Sequence, residues 1–180
     1  MRVFVGIGLD TAMRAALFDA AQRAQQLFPG RYAPADNYHC TLKFIGEAGE
    51  REISAIQGAM RAAAGAISAF TMELAQLSFF RRPQDAVLFC GLTSCPPLIT
   101  LAKTLDQELH KAGFPLELGP YHPHITLARQ ARIDPEKLSL IPVSPAQSRV
   151  EKITLFESCR IANQLRYMPL REYPLGNSQT

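Results

Sequence analysis

The tetrad His39-Cys40-Thr41-Leu42 recurs as His124-Ile125-Thr126-Leu127, and the two copies hold two of the four histidines in the chain. Each sits in a short apolar run that reads as a β-strand. Side chains alternate faces along a strand, so His39 and Thr41 point one way while Cys40 and Leu42 enter a core. His124 and Thr126 stand against Ile125 and Leu127 in the same fashion. Each tetrad therefore delivers one imidazole and one hydroxyl to a single surface. Two such strands placed side by side about a pseudo-two-fold axis bring two imidazoles and two hydroxyls to one point.

Outward from the tetrads the chain approximately repeats itself. Arg2 to Leu9 reads as a strand, and Met13, Leu17, Ala20, Ala24 and Leu27 then fall on one helical face until Pro29-Gly30 stops it. The strand from His39 to Ile45 is followed, past Gly46, by a helix with Ile53, Ile56, Met60, Ala63 and Ile67 on one side. Phe70 to Phe80 and Ala86 to Thr93 read as two strands joined by Arg81-Arg82-Pro83-Gln84-Asp85, a connection of hairpin length. Pro96-Pro97 opens another helix, with Leu98, Leu101, Leu105, Leu109 and Ala112 on one side; Gly113 ends it, and His124 to Arg129 is the next strand. After a connection containing Pro135, Pro142 and Pro145, Arg149 to Ile161 and Arg166 to Leu175 read as a closing antiparallel pair. Helices grouped beside mainly antiparallel strands predict an α+β fold: one domain over 1–180, made of two intertwined, pseudo-symmetric lobes, approximately 1–90 and 91–180. The closing strands are free to return to the first lobe.

Bulk properties narrow the classes. A chain of 180 residues can bury about 70% of its unfolded surface without disulfides or a structural metal. Its 47% hydrophobic and 19% charged residues are those of a globular protein. Cys40, Cys90, Cys95 and Cys159 form no Cys-x-x-Cys pair and read as reduced, buried thiols of a cytoplasmic protein. Val3 to Leu9 is too short for a secretory signal core, and no run approaches the roughly 18 apolar residues of a membrane span. A net charge of +3 suits an anionic substrate but is too low for a protein that coats nucleic acid. Nothing points to an obligate protein partner, so a monomer is expected.

The paired tetrads suit a phosphate. Imidazole titrates near 6.5, so at neutral pH one histidine can accept a proton from water while the other gives one to a leaving oxygen. The Thr41 and Thr126 hydroxyls can donate to nonbridging phosphate oxygens. Paired histidines with neither a metal nor a covalent nucleophile fit a strained substrate whose leaving oxygen is held close, such as a 2',3'-cyclic phosphate.

At these motifs the sequence resembles the 2H phosphoesterase superfamily, and within it the bacterial RNA 2',3'-cyclic phosphodiesterases, also called 2'-5' RNA ligases. The likeness extends over Arg2-Val3-Phe4-Val5-Gly6-Ile7, Asn37-Tyr38-His39-Cys40-Thr41-Leu42-Lys43-Phe44-Ile45-Gly46 and Tyr121-His122-Pro123-His124-Ile125-Thr126-Leu127-Ala128-Arg129. The resemblance implies a bilobal fold around a central cleft, no cofactor and no metal, and a substrate that is an RNA 3' end or nucleotide carrying a 2',3'-cyclic phosphate. It implies His39 as general base and His124 as general acid, giving a 2'-phosphate end; sequence does not orient the substrate, so the two roles can be exchanged. Thr41, Thr126 and Arg129 would hold the phosphate, and Phe44 would stack on the terminal base. Strict alternation puts Phe44 and Arg129 on the strand face opposite the histidines, so those two assignments need a twist or a strand end.

Other residues carry weaker readings. His122 is a third candidate for the site, although Pro123 and the family pattern favour a packing role. His110, near a helix C-terminus, reads as a dipole-compensating surface residue. Arg81 and Arg82 are candidates for contacting RNA phosphates. Of the adjacent Phe79 and Phe80, one belongs to the core and the other faces the cleft. Three rivals remain open: a zinc site built from His39, His122 and His124, an RNA-end binding module without turnover, and a ligase joining the cyclic end to a 5'-hydroxyl.

Overall fold

The computed structural model describes residues 1–176; residues 177–180, which the predicted domain includes, lie outside them. Among the described residues nine strands and four helices alternate as β1 (Arg2–Gly8), α1 (Thr11–Leu27), β2 (Arg31–Tyr32), β3 (His39–Glu47), α2 (Glu50–Gly65), β4 (Phe70–Arg81), β5 (Ala86–Leu92), α3 (Pro96–Lys111), β6 (His124–Ala131), α4 (Pro135–Leu138), β7 (Gln147–Val150), β8 (Lys152–Ile161) and β9 (Gln164–Pro174). The strands form one antiparallel sheet in the order β7-β4-β5-β6-β3-β1-β8-β9, with β2 on the flank of β6. This is the α+β class expected from the pattern. Each half of the sheet draws strands from both halves of the chain, because β8 returns to pair with β1.

Local chemistry sets the element ends. The Asp10 carboxylate accepts from the Met13 amide at 2.8 Å and caps α1, and Glu52 accepts from the Gly49 amide at 3.0 Å at the start of α2. Gly113, at φ +96°, supplies the left-handed turn that stops α3. Helix α1 lies against β6 and β7, while α2 packs on α3, β8 and β9. All cover the same apolar side of the sheet, where Val3, Val5 and Ile7 of β1, Cys40 and Leu42 of β3, and Ile125 and Leu127 of β6 join Met13, Leu17, Ile56, Met60, Leu101 and Leu105 in one core.

Four details differ from the periodicity. Leu27 is 50% exposed, because the buried stripe of α1 runs through Ala21 and Ala24 to Phe28 and leaves Leu27 outside it. Ile67 lies beyond the end of α2, though it still packs partly buried on the core, and Ala112 is the exposed cap of α3. The predicted strand Arg149 to Ile161 breaks at Glu151 into β7, which pairs with β4, and β8, which pairs with β1 and β9. Of the four thiols Cys159 is only half-buried. No helix among the described residues is long and apolar enough to cross a membrane.

Candidate active site

The two tetrads are neighbours. Strands β3 and β6 pair antiparallel with Cys40 opposite Ile125, and continuing that register sets His39 across from Thr126 and Thr41 across from His124. An antiparallel pair has a local two-fold axis between its strands, which is the symmetry the repeated tetrad calls for. The flanking strands extend it: Gly8 of β1 is opposite His39, and Gly91 of β5 is opposite His124. Directly opposed residues share a face, so a glycine beside each imidazole leaves that side of the site open. A Cβ at Gly8 would meet nothing within 4 Å, and at Gly91 its nearest neighbour is 3.7 Å away.

Each imidazole is held in the same way. Nδ1 of His39 donates to the Asn37 carbonyl at 2.7 Å, and Nδ1 of His124 donates to the His122 carbonyl at 2.6 Å. A carbonyl only accepts, so Nδ1 carries the proton in both rings and Nε2 is left as the basic nitrogen. On the His39 side, Nε2 accepts from the Thr41 hydroxyl at 2.9 Å. Aromatic rings brace both. Phe4 lies 4.7 Å from the His39 ring with Tyr167 edge-on at 5.0 Å, and Phe80 and Phe89 approach His124 at 5.0 and 5.3 Å. Of the Phe79-Phe80 pair, Phe80 is therefore the residue that reaches the site, while Phe79 packs against the core.

This setting depresses both imidazole pKa values. Burial is the first cause for each, because desolvation disfavours the cation. The charges of His124 and Arg129 push His39 further down, and those of Arg129 and His122 do the same to His124; the carbonyl bonds to Asn37 and His122 oppose the shift. The Arg129 charge thus lowers both imidazole pKa values.

Simple alternation would have sent Arg129 and Phe44 to the core side; two β-bulges reverse this. Val5 is opposite Lys43 and Gly6 opposite Thr41, so Leu42 is an extra residue on β3. Leu88 is opposite Ala128 and Phe89 opposite Thr126, so Leu127 is the extra residue on β6. A bulge puts two successive residues on one side. Leu42 and Lys43 are both buried, as are Leu127 and Ala128. The next residue in each strand, Phe44 or Arg129, returns to the histidine face. Phe44 pairs with Phe4 there, is 49% exposed, and carries the Arg2 guanidinium 5.1 Å above its ring.

Several supporting residues carry no signal of their own in the sequence. Asn37, buried, donates from its side-chain amide to the Leu165 carbonyl at 2.9 Å, which fixes the backbone that holds Nδ1 of His39. The Tyr121 hydroxyl donates to the Thr41 carbonyl at 2.8 Å, tying the segment before β6 to the first tetrad. Lys43, only 5% exposed, turns away from the site to Asp106 at 2.7 Å and the Pro115 carbonyl at 3.0 Å. A Cβ at Gly6 would lie 2.9 Å from the Cys40 carbonyl, so only glycine lets β1 approach the first tetrad this closely. The His122 side chain is exposed, and what it gives the site is its backbone carbonyl. His110 bonds the Phe114 carbonyl at the end of α3, a surface role. Among the described residues no three His, Cys, Asp or Glu side chains gather as metal ligands.

The same architecture occurs in characterised proteins. The family model of the 2'-5' RNA ligase superfamily matches residues 13–160. The chain belongs to this superfamily. An RNA 2',3'-cyclic phosphodiesterase of Escherichia coli K12 is 32% identical over 97% of this chain and 96% of its own length. One from Bacillus subtilis 168 is 30% identical over 71% of this chain and 70% of its own. The crystal structure of E. coli LigT complexed with 3'-AMP superposes with a TM-score of 0.76 at 27% identity, covering 98% of both chains. As a 2'-5' RNA ligase superfamily member the chain shares the fold of E. coli LigT over almost its whole length, and both tetrads lie within the matched residues.

Proposed function

We propose that the protein hydrolyses RNA or nucleotide 2',3'-cyclic phosphate ends to 2'-phosphate ends, with His39 as general base and His124 as general acid. The observation that carries this reading is the matched pair of Nδ1-locked imidazoles, each with a basic Nε2, that of His39 bonded to the Thr41 hydroxyl, on paired strands that also carry Thr126 and Arg129. The E. coli and B. subtilis relatives carry the name of that activity, and LigT was crystallised with a nucleotide monophosphate.

In the proposed reaction water attacks phosphorus as Nε2 of His39 removes its proton. The P–O3' bond breaks, and the Nε2 proton of His124 passes to the departing O3', leaving a 3'-hydroxyl and a 2'-phosphate. The depressed pKa of His39 keeps it neutral, as a base must be. His124 must be protonated in the complex. The bound phosphodiester supplies a negative charge that offsets Arg129 and raises the His124 pKa from its depressed value in the free protein. Thr41 turns its hydroxyl from Nε2 of His39 to a phosphate oxygen, Thr126 and Arg129 bind the others, and Phe44 takes the terminal base on its exposed ring. The symmetric proton chemistry also admits exchange of the two histidine roles. We read the enzyme as a cytoplasmic monomer that needs no cofactor.

A short RNA ending in a 2',3'-cyclic phosphate, incubated with the protein in excess chelator, should yield a 2'-phosphate end. His39→Ala and His124→Ala should each lower kcat by about 10²- to 10⁴-fold. Unchanged RNA overturns the enzymatic reading in favour of an end-binding module, and a joined product overturns the hydrolytic direction in favour of ligation.

A further inference from the structure

We infer that a basic depression beside the proposed catalytic face holds the phosphodiester backbone of the nucleotides upstream of the cyclic end, making the protein selective for oligonucleotides over mononucleotides. This rests on the reading of the site given above. The depression has a volume of about 520 Å³ and includes Arg31, Arg82, Gln84, Asp85, Arg129 and Gln130 in its wall. It shares Arg129 with the histidine face, so a chain whose terminal phosphate meets Arg129 has a continuous path into it.

Three features mark it as built for an anion. First, Arg31 of β2 is directly opposite Arg129 of β6, and directly opposed residues of an antiparallel pair point to the same face. Like charges in that position are destabilising unless a counter-charge lies between them. Second, none of Arg31, Arg82 and Arg129 forms an ion pair among the described residues. Asp85 is the only acid in the wall, against three arginines. Third, the register shift between Ala86 and Leu88 sets Val87 against both Arg129 and Gln130, a bulge in which Gln130 takes φ +53°, and bulges re-aim side chains beside active sites. Guanidinium forks and amide side chains together recognise phosphate oxygens and ribose hydroxyls. The depression on the other side of the β4-β5 hairpin provides a contrast: Arg81, Arg82 and Arg132 meet both Asp85 and Asp134 there, and Arg129 is not part of it.

The test compares a cyclic-ended pentanucleotide with a 2',3'-cyclic mononucleotide. In the unaltered protein kcat/KM should favour the pentanucleotide. In Arg31→Gln/Arg82→Gln that ratio should fall about tenfold, as two exposed charge-assisted contacts predict. Two lost phosphate contacts should also flatten the salt dependence of pentanucleotide binding by about 1.4 in log–log slope. Asp85→Asn, which removes the one acid, should raise the ratio. A ratio near one in the unaltered protein, or one that ignores all three substitutions, overturns the inference. If neither substrate is hydrolysed the catalytic reading fails separately, and equilibrium binding of the pentanucleotide to the same variants still decides the backbone site: affinity and salt slope unchanged in Arg31→Gln/Arg82→Gln overturn it.

Discussion

Replacing Lys43 with Met should cost stability and leave catalysis alone, although Lys43 stands within the first motif and a lysine beside a phosphate site invites the opposite expectation. Its Nζ lies 2.7 Å from Asp106 and 3.1 Å from Glu117, with side-chain exposures of 5% for Lys43, 17% for Asp106 and 63% for Glu117. The Glu117 pair is exposed and contributes little. The Asp106 pair is buried, and removing one partner of such a pair costs about 3–5 kcal/mol because the other charge is left unpaired. Two features favour the lower figure. Asp106 keeps the Glu117 amide, which donates to its two oxygens at 3.1 and 3.3 Å, and Met retains the apolar stem volume of lysine. A loss of about 3 kcal/mol is a large share of the roughly 5–15 kcal/mol that holds a domain together. Lys43→Met/Asp106→Leu removes both charges and should return to within about 1 kcal/mol of the unaltered protein, because a buried pair is often replaceable by apolar groups. Urea unfolding measures all three, and kcat/KM on a cyclic-ended RNA below the transition should stay within about threefold in each, a shift of under 1 kcal/mol in the barrier. A single variant that loses under about 1 kcal/mol, a double variant less stable than the single, or a collapse of kcat/KM in folded protein would refute the assignment of Lys43 to the core face.

Two further outcomes follow from the site. Because both imidazoles titrate below their usual value of about 6.5, neutral histidine persists to lower pH in the free protein, so kcat/KM should peak below pH 6.5, while the kcat profile, which reports the anion-bound complex, should lie at higher pH; a kcat/KM maximum above about 7.5 contradicts this. Gly6→Ala places a methyl 2.9 Å from the Cys40 carbonyl and should lose about 1–3 kcal/mol together with activity, whereas Gly8→Ala, with nothing within 4 Å, should keep its stability; equal urea midpoints for the two variants would count against the close approach.

The strand character of both tetrads could be read from the chain because His-x-Thr-Leu alternates cleanly and occurs twice. The neighbourhood of β3 and β6 could be inferred only from the demand that both imidazoles serve one phosphate. The bulges at Leu42 and Leu127 were not legible. Neither position carries the glycine or proline that usually marks a break, and Leu42-Lys43 looks like ordinary alternation of an apolar and a charged residue. The extra residue shows only in the pairing with β1 and in the burial of Lys43, and that burial depends on Asp106 and Pro115, far along the chain. Arg31 was invisible for another reason. It lies in a strand of two residues, too short for any periodicity, and acquires meaning only from its place opposite Arg129.

The repeat also explains how a nearly symmetric site can act in one direction. Each half contributes a histidine with Nδ1 on a carbonyl, a threonine, a bulge, and a face-restoring residue five positions after the histidine. In proton chemistry the halves are interchangeable, since either imidazole could give or take. Attack and departure at phosphorus are not interchangeable once the ribose is fixed, so direction must be set by groups that differ between the halves. In the proposed reaction Phe44 and Arg129 are those groups: equivalent in position, one presents an exposed ring and the other a cation that lowers both imidazole pKa values. A base drawn to the ring and a phosphate drawn to the cation leave the nucleotide one way to lie. On the proposed mechanism the bulges that bring these two side chains to the histidine face give a symmetric acid–base pair its polarity, and losing either bulge should cost direction before it costs proton transfer.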